Sequence, residues 1–243
     1  MRRCLLILTA MLAGGALAPA SAASRDVTAI FQVTADGWRL GELAATYAET
    51  GDNYEVTLKG GARGLWGFLL QASYDGRALG TRDATGQPVS KLFEAKSHRI
   101  FKSRHQKVDF AAGKPVAVLI DPPKDRTEMS DPTLVGDQRT DPLSYLGVFL
   151  QNRLSGCPEP GNLYDGRRVT RVSFNLVTST SGRIACAGVY EIVKGPDHSI
   201  RKGYRSFGVR LEYRPAQEPE QGARLERVDF SSGSSVLVLQ RLK

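Results

Sequence analysis

Apolar and polar positions alternate with period two along most of the chain, and the alternation is clearest between Cys157 and Cys186. Thr170, Val172, Phe174 and Leu176 share one parity, and Val169, Arg171, Ser173 and Asn175 the other. That is the pattern of a strand with one buried face. Ile184, Cys186, Tyr190 and Ile192 repeat it, and the polar run 178–182 between the two segments is turn chemistry, so the pair predicts an antiparallel hairpin. Residues 27–34, 38–49 and 54–59 read as a meander turned at Ala35-Asp36-Gly37 and at Thr50-Gly51-Asp52-Asn53. Further strands are expected at 71–79, 89–97, 98–104, 107–110, 206–214, 225–231 and 234–242, with an inward parity of Phe207, Val209, Leu211 and Tyr213 in the first after residue 200.

Three stretches depart from the alternation. Val116-Ala117-Val118-Leu119-Ile120 is an unbroken apolar run, which predicts a strand covered on both faces. Residues 121–140 hold Pro122, Pro123 and Pro132 and eight charged residues, which predicts a long, exposed and mobile loop. Thr140 or Asp141 then caps a helix with Pro142 in its first position, and Leu143, Leu146, Phe149, Leu150 and Leu154 form an apolar stripe ending before Gly156. A helix this apolar belongs against the concave or open side of the sheet. With about ten to twelve strands, no fixed repeat and no linker, the chain reads as mainly β and as one domain over residues 23–243.

The N-terminus sets the compartment. Arg2 and Arg3 precede an apolar run from Leu5 to Leu17 and an Ala20-Ser21-Ala22 cleavage site, so residues 1–22 are expected to be a signal peptide and the mature protein periplasmic. No later run is long enough to span a bilayer. Cys157 and Cys186 are the two cysteines left after the leader, an even number in an exported chain, and they are expected to form a disulfide. The formal charge of +8 falls to +6 without Arg2 and Arg3, and the surplus is spread along the chain. Nucleic acid is therefore not expected as a partner; anionic envelope surfaces are met first.

Candidate chemistry is sparse. His98, His105 and His198 have no metal-ligand spacing, no G-x-S-x-G or phosphate loop occurs, and the cysteines are far from C-x-x-C, so neither metal nor cofactor is expected. Two groups stand out. Leu65, Trp66, Phe68, Leu69 and Leu70 form a bulky apolar cluster that is either a buried helical turn or a lip touching an apolar ligand or membrane. Asp165, Arg167 and Arg168 follow Tyr164; the aspartate there suits a turn satisfying backbone donors, and the arginines suit either internal carboxylates or a polar rim facing an anionic group.

The order of motifs, G-W-R-L-G-E-L at 37–43, R-G-L-W-G-F-L-L at 63–70, D-P-L-S-Y-L at 141–146, Cys157, Y-D-G-R-R at 164–168 and C-x-x-x-Y at 186–190, resembles the exported bacterial "domain of unknown function 3108" family. The resemblance covers most of the mature chain. It implies a single antiparallel sheet curled into an open β-barrel, a β-spiral like that of lipoprotein-carrier proteins, wrapping the Asp141 helix, and it brings no settled activity. The function expected is non-enzymatic: a lipid or acyl ligand, or an envelope protein partner, held on the concave face by residues 65–70 with Leu146, Phe149 and Leu150. The alternative is an envelope hydrolase using a carboxylate such as Asp165.

Overall fold

The computed structural model describes residues 24–63, 71–136, 139–151, 156–180, 183–197, 203–215 and 223–243. The expected leader and the cluster from Leu65 to Leu70 lie outside the described residues. Thirteen strands make one antiparallel sheet: β1 Ser24–Ala35, β2 Trp38–Thr50, β3 Asn53–Ala62, β4 Ser73–Arg82, β5 Pro88–Arg99, β6 Lys102–Ala111, β7 Lys114–Asp121, β8 Gly161–Tyr164, β9 Val169–Thr180, β10 Arg183–Lys194, β11 Ser206–Pro215, β12 Ala223–Ser232 and β13 Ser235–Arg241. Their order in space is 7-6-5-4-3-2-1-13-12-11-10-9-8, so the first and last strands pair with each other and the free edges are β7 and β8. The sheet is a curled, open barrel around one α-helix, α1, Pro142–Leu150.

The hairpins follow from local chemistry. Asp36 and Gly37 both adopt positive φ, 47° and 86°, which is the two-residue turn whose twist matches the flanking strands. One parity then points into the curl throughout: Ala29 faces Ala45, Tyr47 faces Val56, Val56 faces Ala78, and Ala78 faces Phe93. All six are nearly inaccessible to solvent. On the other arm Cys186 opposes Leu211, Ile184 opposes Tyr213 and Tyr190 opposes Phe207.

The helix fills the half of the curl nearest the β2–β3 and β4–β5 turns. Asp141 caps it, its Oδ1 accepting from the Leu143 and Ser144 amides at 2.9 and 2.8 Å. The approach is close enough to exclude side chains: a Cβ on Gly147 would stand 2.9 Å from Val56 Cγ2 and 3.0 Å from Tyr47. Phe149 meets Tyr145 and Phe174 edge-on, with ring centroids 5.0 and 5.8 Å apart. The Cys157–Cys186 disulfide ties the chain leaving the helix to the inward face of β10.

Three expectations need correction. The segment 98–104 is not one strand: Ile100 and Phe101 are the tip between β5 and β6, and 102–111 run on as the single strand β6. The run 116–120 is not covered on both faces; it lies in the edge strand β7, and Val116 and Leu119 are exposed. An apolar run by itself cannot distinguish an interior strand from an edge. The described part of the expected exposed loop 121–140 is ordered, with short 3-10 turns at Pro123–Asp125, Glu128–Ser130 and Pro132–Leu134 and with Asp125, Met129, Ser130 and Val135 buried. This segment bridges the open seam. Arg139 donates to the Gly113 carbonyl beside β7, while Thr140 forms a parallel bridge with Leu163 of β8.

Candidate functional site

The turns β1–β2, β5–β6 and β12–β13, the ends of β3 and β10 and the starts of β4 and β11 all lie at the end of the curl away from the helix cap. At that mouth the inward side chains meet no helix, and three depressions follow one another around the rim. The first, about 740 Å³, lies where Lys59, Asp75, Lys96, His105 and Asp121 form one cross-strand row of parity opposite to that of the buried Val56, Ala78 and Phe93, so its charged side chains face away from the curl. The second, about 240 Å³, is almost wholly apolar, with Val33, Leu40, Leu43, Ala62 and Tyr74. The third, about 530 Å³, has Leu40, Tyr190, Phe207, Phe230, Val236 and Leu237, with Arg168 at its side.

The depressions share walls. Tyr74 borders the first and second, and Leu40 the second and third. The second and third depressions therefore form one apolar trough on the inner side of the mouth, with the charged row of the first on the outer side of the sheet. Burial pushes the Tyr74 phenol upward, reinforced by the charges of Asp165 and Asp141, and the Tyr190 phenol is raised by burial and Asp165 in the same way. Both phenols stay neutral at ordinary pH and act as hydrogen-bonding groups rather than as bases.

The Asp165 turn is structural in its hydrogen bonding. Its Oδ1 accepts the Arg167 and Arg168 amides at 2.8 and 2.7 Å. Gly166, at φ 89°, sits so close to β6 and β7 that a Cβ would stand 3.0 Å from Val108 Cγ2. Arg167 is buried, not on a rim: its Nε donates to the Asp125 carbonyl at 2.7 Å, and the Thr127 hydroxyl donates to the Arg167 carbonyl at 2.9 Å. Desolvation lowers the Arg167 pKa, helped by the Arg104 and Arg168 charges. Arg168 is half-buried beside the trough, donating through Nε and Nη2 to the Pro196 and Asp197 carbonyls at 2.8 and 2.9 Å. Of the three residues expected at a polar rim, Arg168 alone borders the trough.

The helix residues expected at a ligand site are placed elsewhere. Leu150 is fully buried in the core, and Leu146 and Phe149 pack against that core; none of the three lines the depressions at the mouth. Sequence reasoning did place Tyr190 and Phe207 inward. Their apolar partners were not legible, because Phe230 and Leu237 come beside them through the β11–β12 and β12–β13 pairings and Leu40 only through the pairing of β1 with β13.

A second buried polar cluster lies at the helix cap. The Ser90 hydroxyl donates to Asp141 Oδ2 at 2.6 Å, the Ser144 hydroxyl donates to the same oxygen, and the Tyr54 hydroxyl donates to Ser144 Oγ at 2.8 Å. Burial raises the Asp141 pKa even though these donors oppose it. Asp141 is sealed from solvent and remote from the mouth, so it holds the helix and faces no substrate. Among the described residues no group of three or more His, Cys, Asp or Glu is placed to hold a metal ion, and no helix is long and apolar enough to cross a membrane. No family model and no curated protein matches the chain.

Proposed function

We propose that this is an exported, non-enzymatic envelope protein that binds an amphiphile at the mouth of its curled sheet. The lipid's acyl chain would occupy the trough lined by Leu40, Phe207, Phe230 and Leu237, and its polar head would lie toward Arg168 at the trough's side. The single observation carrying this reading is the continuity of the two apolar depressions through Leu40. A trough of about 530 Å³ also falls within the range of roughly 300–1,000 Å³ usual for small-molecule sites. Apolar burial supplies affinity there without demanding exact polar geometry.

Titration with a fluorescent fatty acid tests this. The protein should bind the probe saturably, and a charge placed in the trough by Leu237→Asp should weaken binding by tenfold or more while the far-ultraviolet circular dichroism is kept. Leu237 is only half-buried, which makes that variant tolerable to the fold. Equal binding by the folded variant and the wild type would remove the trough from consideration.

A further inference from the structure

The rim of the mouth carries apolar side chains that the fold does not use. Arg99 pairs with Lys102 across β5 and β6, leaving Ile100 and Phe101 as the hairpin tip. Phe101 is 103% exposed and has φ 57°. A bulky residue in the left-handed region costs conformational energy that glycine or asparagine would avoid. Here that cost is met by no packing within the chain. At the β1–β2 turn Trp38 is 68% exposed beside Gly37. The two tips lie at the same end of the sheet, four strand spacings apart, or about 19 Å along the rim.

The surroundings of the Phe101 tip are basic. Arg99 has no ion-pair partner among the described residues, and one carboxylate, Asp125, is shared by Lys102 at 3.4 Å and Arg104 at 2.6 Å. That group keeps a net positive charge. Two exposed aromatic wedges on one rim, with unneutralised cations beside one of them, form a surface suited to the boundary between headgroups and acyl chains.

We infer that this rim docks the protein on an anionic lipid surface, Phe101 and Trp38 entering the interface while Arg99 and Lys102 meet the headgroup phosphates. The docking is separable from the proposed ligand site. It concerns the outside of the rim and needs no occupied trough, although it would present the trough's opening to the bilayer from which an amphiphile comes.

Co-sedimentation of the full protein with vesicles provides the test. Wild type should partition onto phosphatidylethanolamine–phosphatidylglycerol vesicles, more weakly onto phosphatidylcholine, and less as salt is raised. Phe101→Gly relieves the left-handed backbone, so it should fold at least as stably as wild type and yet lose about tenfold in partition. Arg99→Gln should lose about fivefold on the anionic vesicles alone. No binding by wild type, or equal binding by the folded Phe101→Gly and Trp38→Ser double variant, overturns the proposal. The fatty-acid titration keeps the two readings apart: a rim variant that loses vesicles but retains the probe supports docking by the rim, whereas Leu237→Asp should lose the probe and retain the vesicles.

Discussion

Ser90 and Asp141 exchange hydrogen bonds: the Ser90 hydroxyl donates to Asp141 Oδ2 at 2.6 Å, and the Asp141 amide donates back to Ser90 Oγ at 2.9 Å. A residue of β5 is thus locked to the cap of a helix 51 positions later. That link orients α1 inside the curl and leaves the far half of the curl open.

Removing the cap should be costly. Asp141→Ala deletes the acceptor shared by the Leu143 and Ser144 amides and leaves the Ser90 and Ser144 hydroxyls without the carboxylate they donate to in a dry interior, for a loss of about 2 to 4 kcal/mol. Asp141→Asn keeps a cap and should lose less. The pH dependence distinguishes the two states of the acid. Because burial raises the folded-state pKa above 3.8, the carboxyl's contribution is fully present below about 3.8 and is lost as pH rises through the folded value. Urea midpoints measured from acid to neutral pH should therefore show Asp141→Asn gaining on wild type as pH rises. Parallel curves would contradict the assignment.

The disulfide restrains a separation of 29 residues that includes β8 and β9. On the chain-entropy account, replacing both cysteines by serine should cost about 3 to 4 kcal/mol. Denaturant melts of the double variant against the oxidised protein measure this. An unchanged midpoint would mean that the unfolded chain is not appreciably constrained by the bond.

Gly147 is where the helix touches β2 and β3 most closely. Gly147→Leu forces a side chain into Val56 and Tyr47, and it should destabilise by about 1 to 3 kcal/mol although leucine is the better helix former. Thermal unfolding checks the sign. Stabilisation would show that the helix has room to move away from the sheet.

The buried Arg167 holds the seam segment through the Asp125 carbonyl. Arg167→Ala should open residues 122–135 to limited proteolysis well before the rest of the chain is cut, with global stability falling less than cleavage resistance does. Asp125 has its own pH signature. Burial would raise its pKa, but the Arg104 and Lys102 contacts outweigh that and hold it below 3.8. The seam's contribution is therefore present above about pH 3.8 and is lost as pH falls through the depressed value.

Most strand positions, the helix cap and the sulfur pairing were legible in the sequence because each rests on local rules: parity, the Asp141-Pro142 start and an even cysteine count. The short strand β8 and the turn between β5 and β6 were not. The helix appears where its stripe placed it, against the concave face. Long-range features were not legible. Nothing near Val116 marks β7 as an edge, since edge status depends on what fails to pair with it. The segment 121–140 looked exposed because its buried residues, Met129 and Val135 among them, have no period, while its order comes from Arg167 and Tyr164 far along the chain. The apolar trough was hidden for the same reason, as its walls come from β2 and from β10 to β13. Phe101 read as one more strand residue, because its exposure and its positive φ are properties of the folded hairpin.

Native mass spectrometry of the protein purified from the cells that make it, without detergent exchange, bears most directly on the central claim of amphiphile binding at the mouth. A population heavier by the mass of one lipid, absent from Leu237→Asp prepared in the same way, is the predicted result. Bare protein in both preparations, or the same adduct on both, would contradict it.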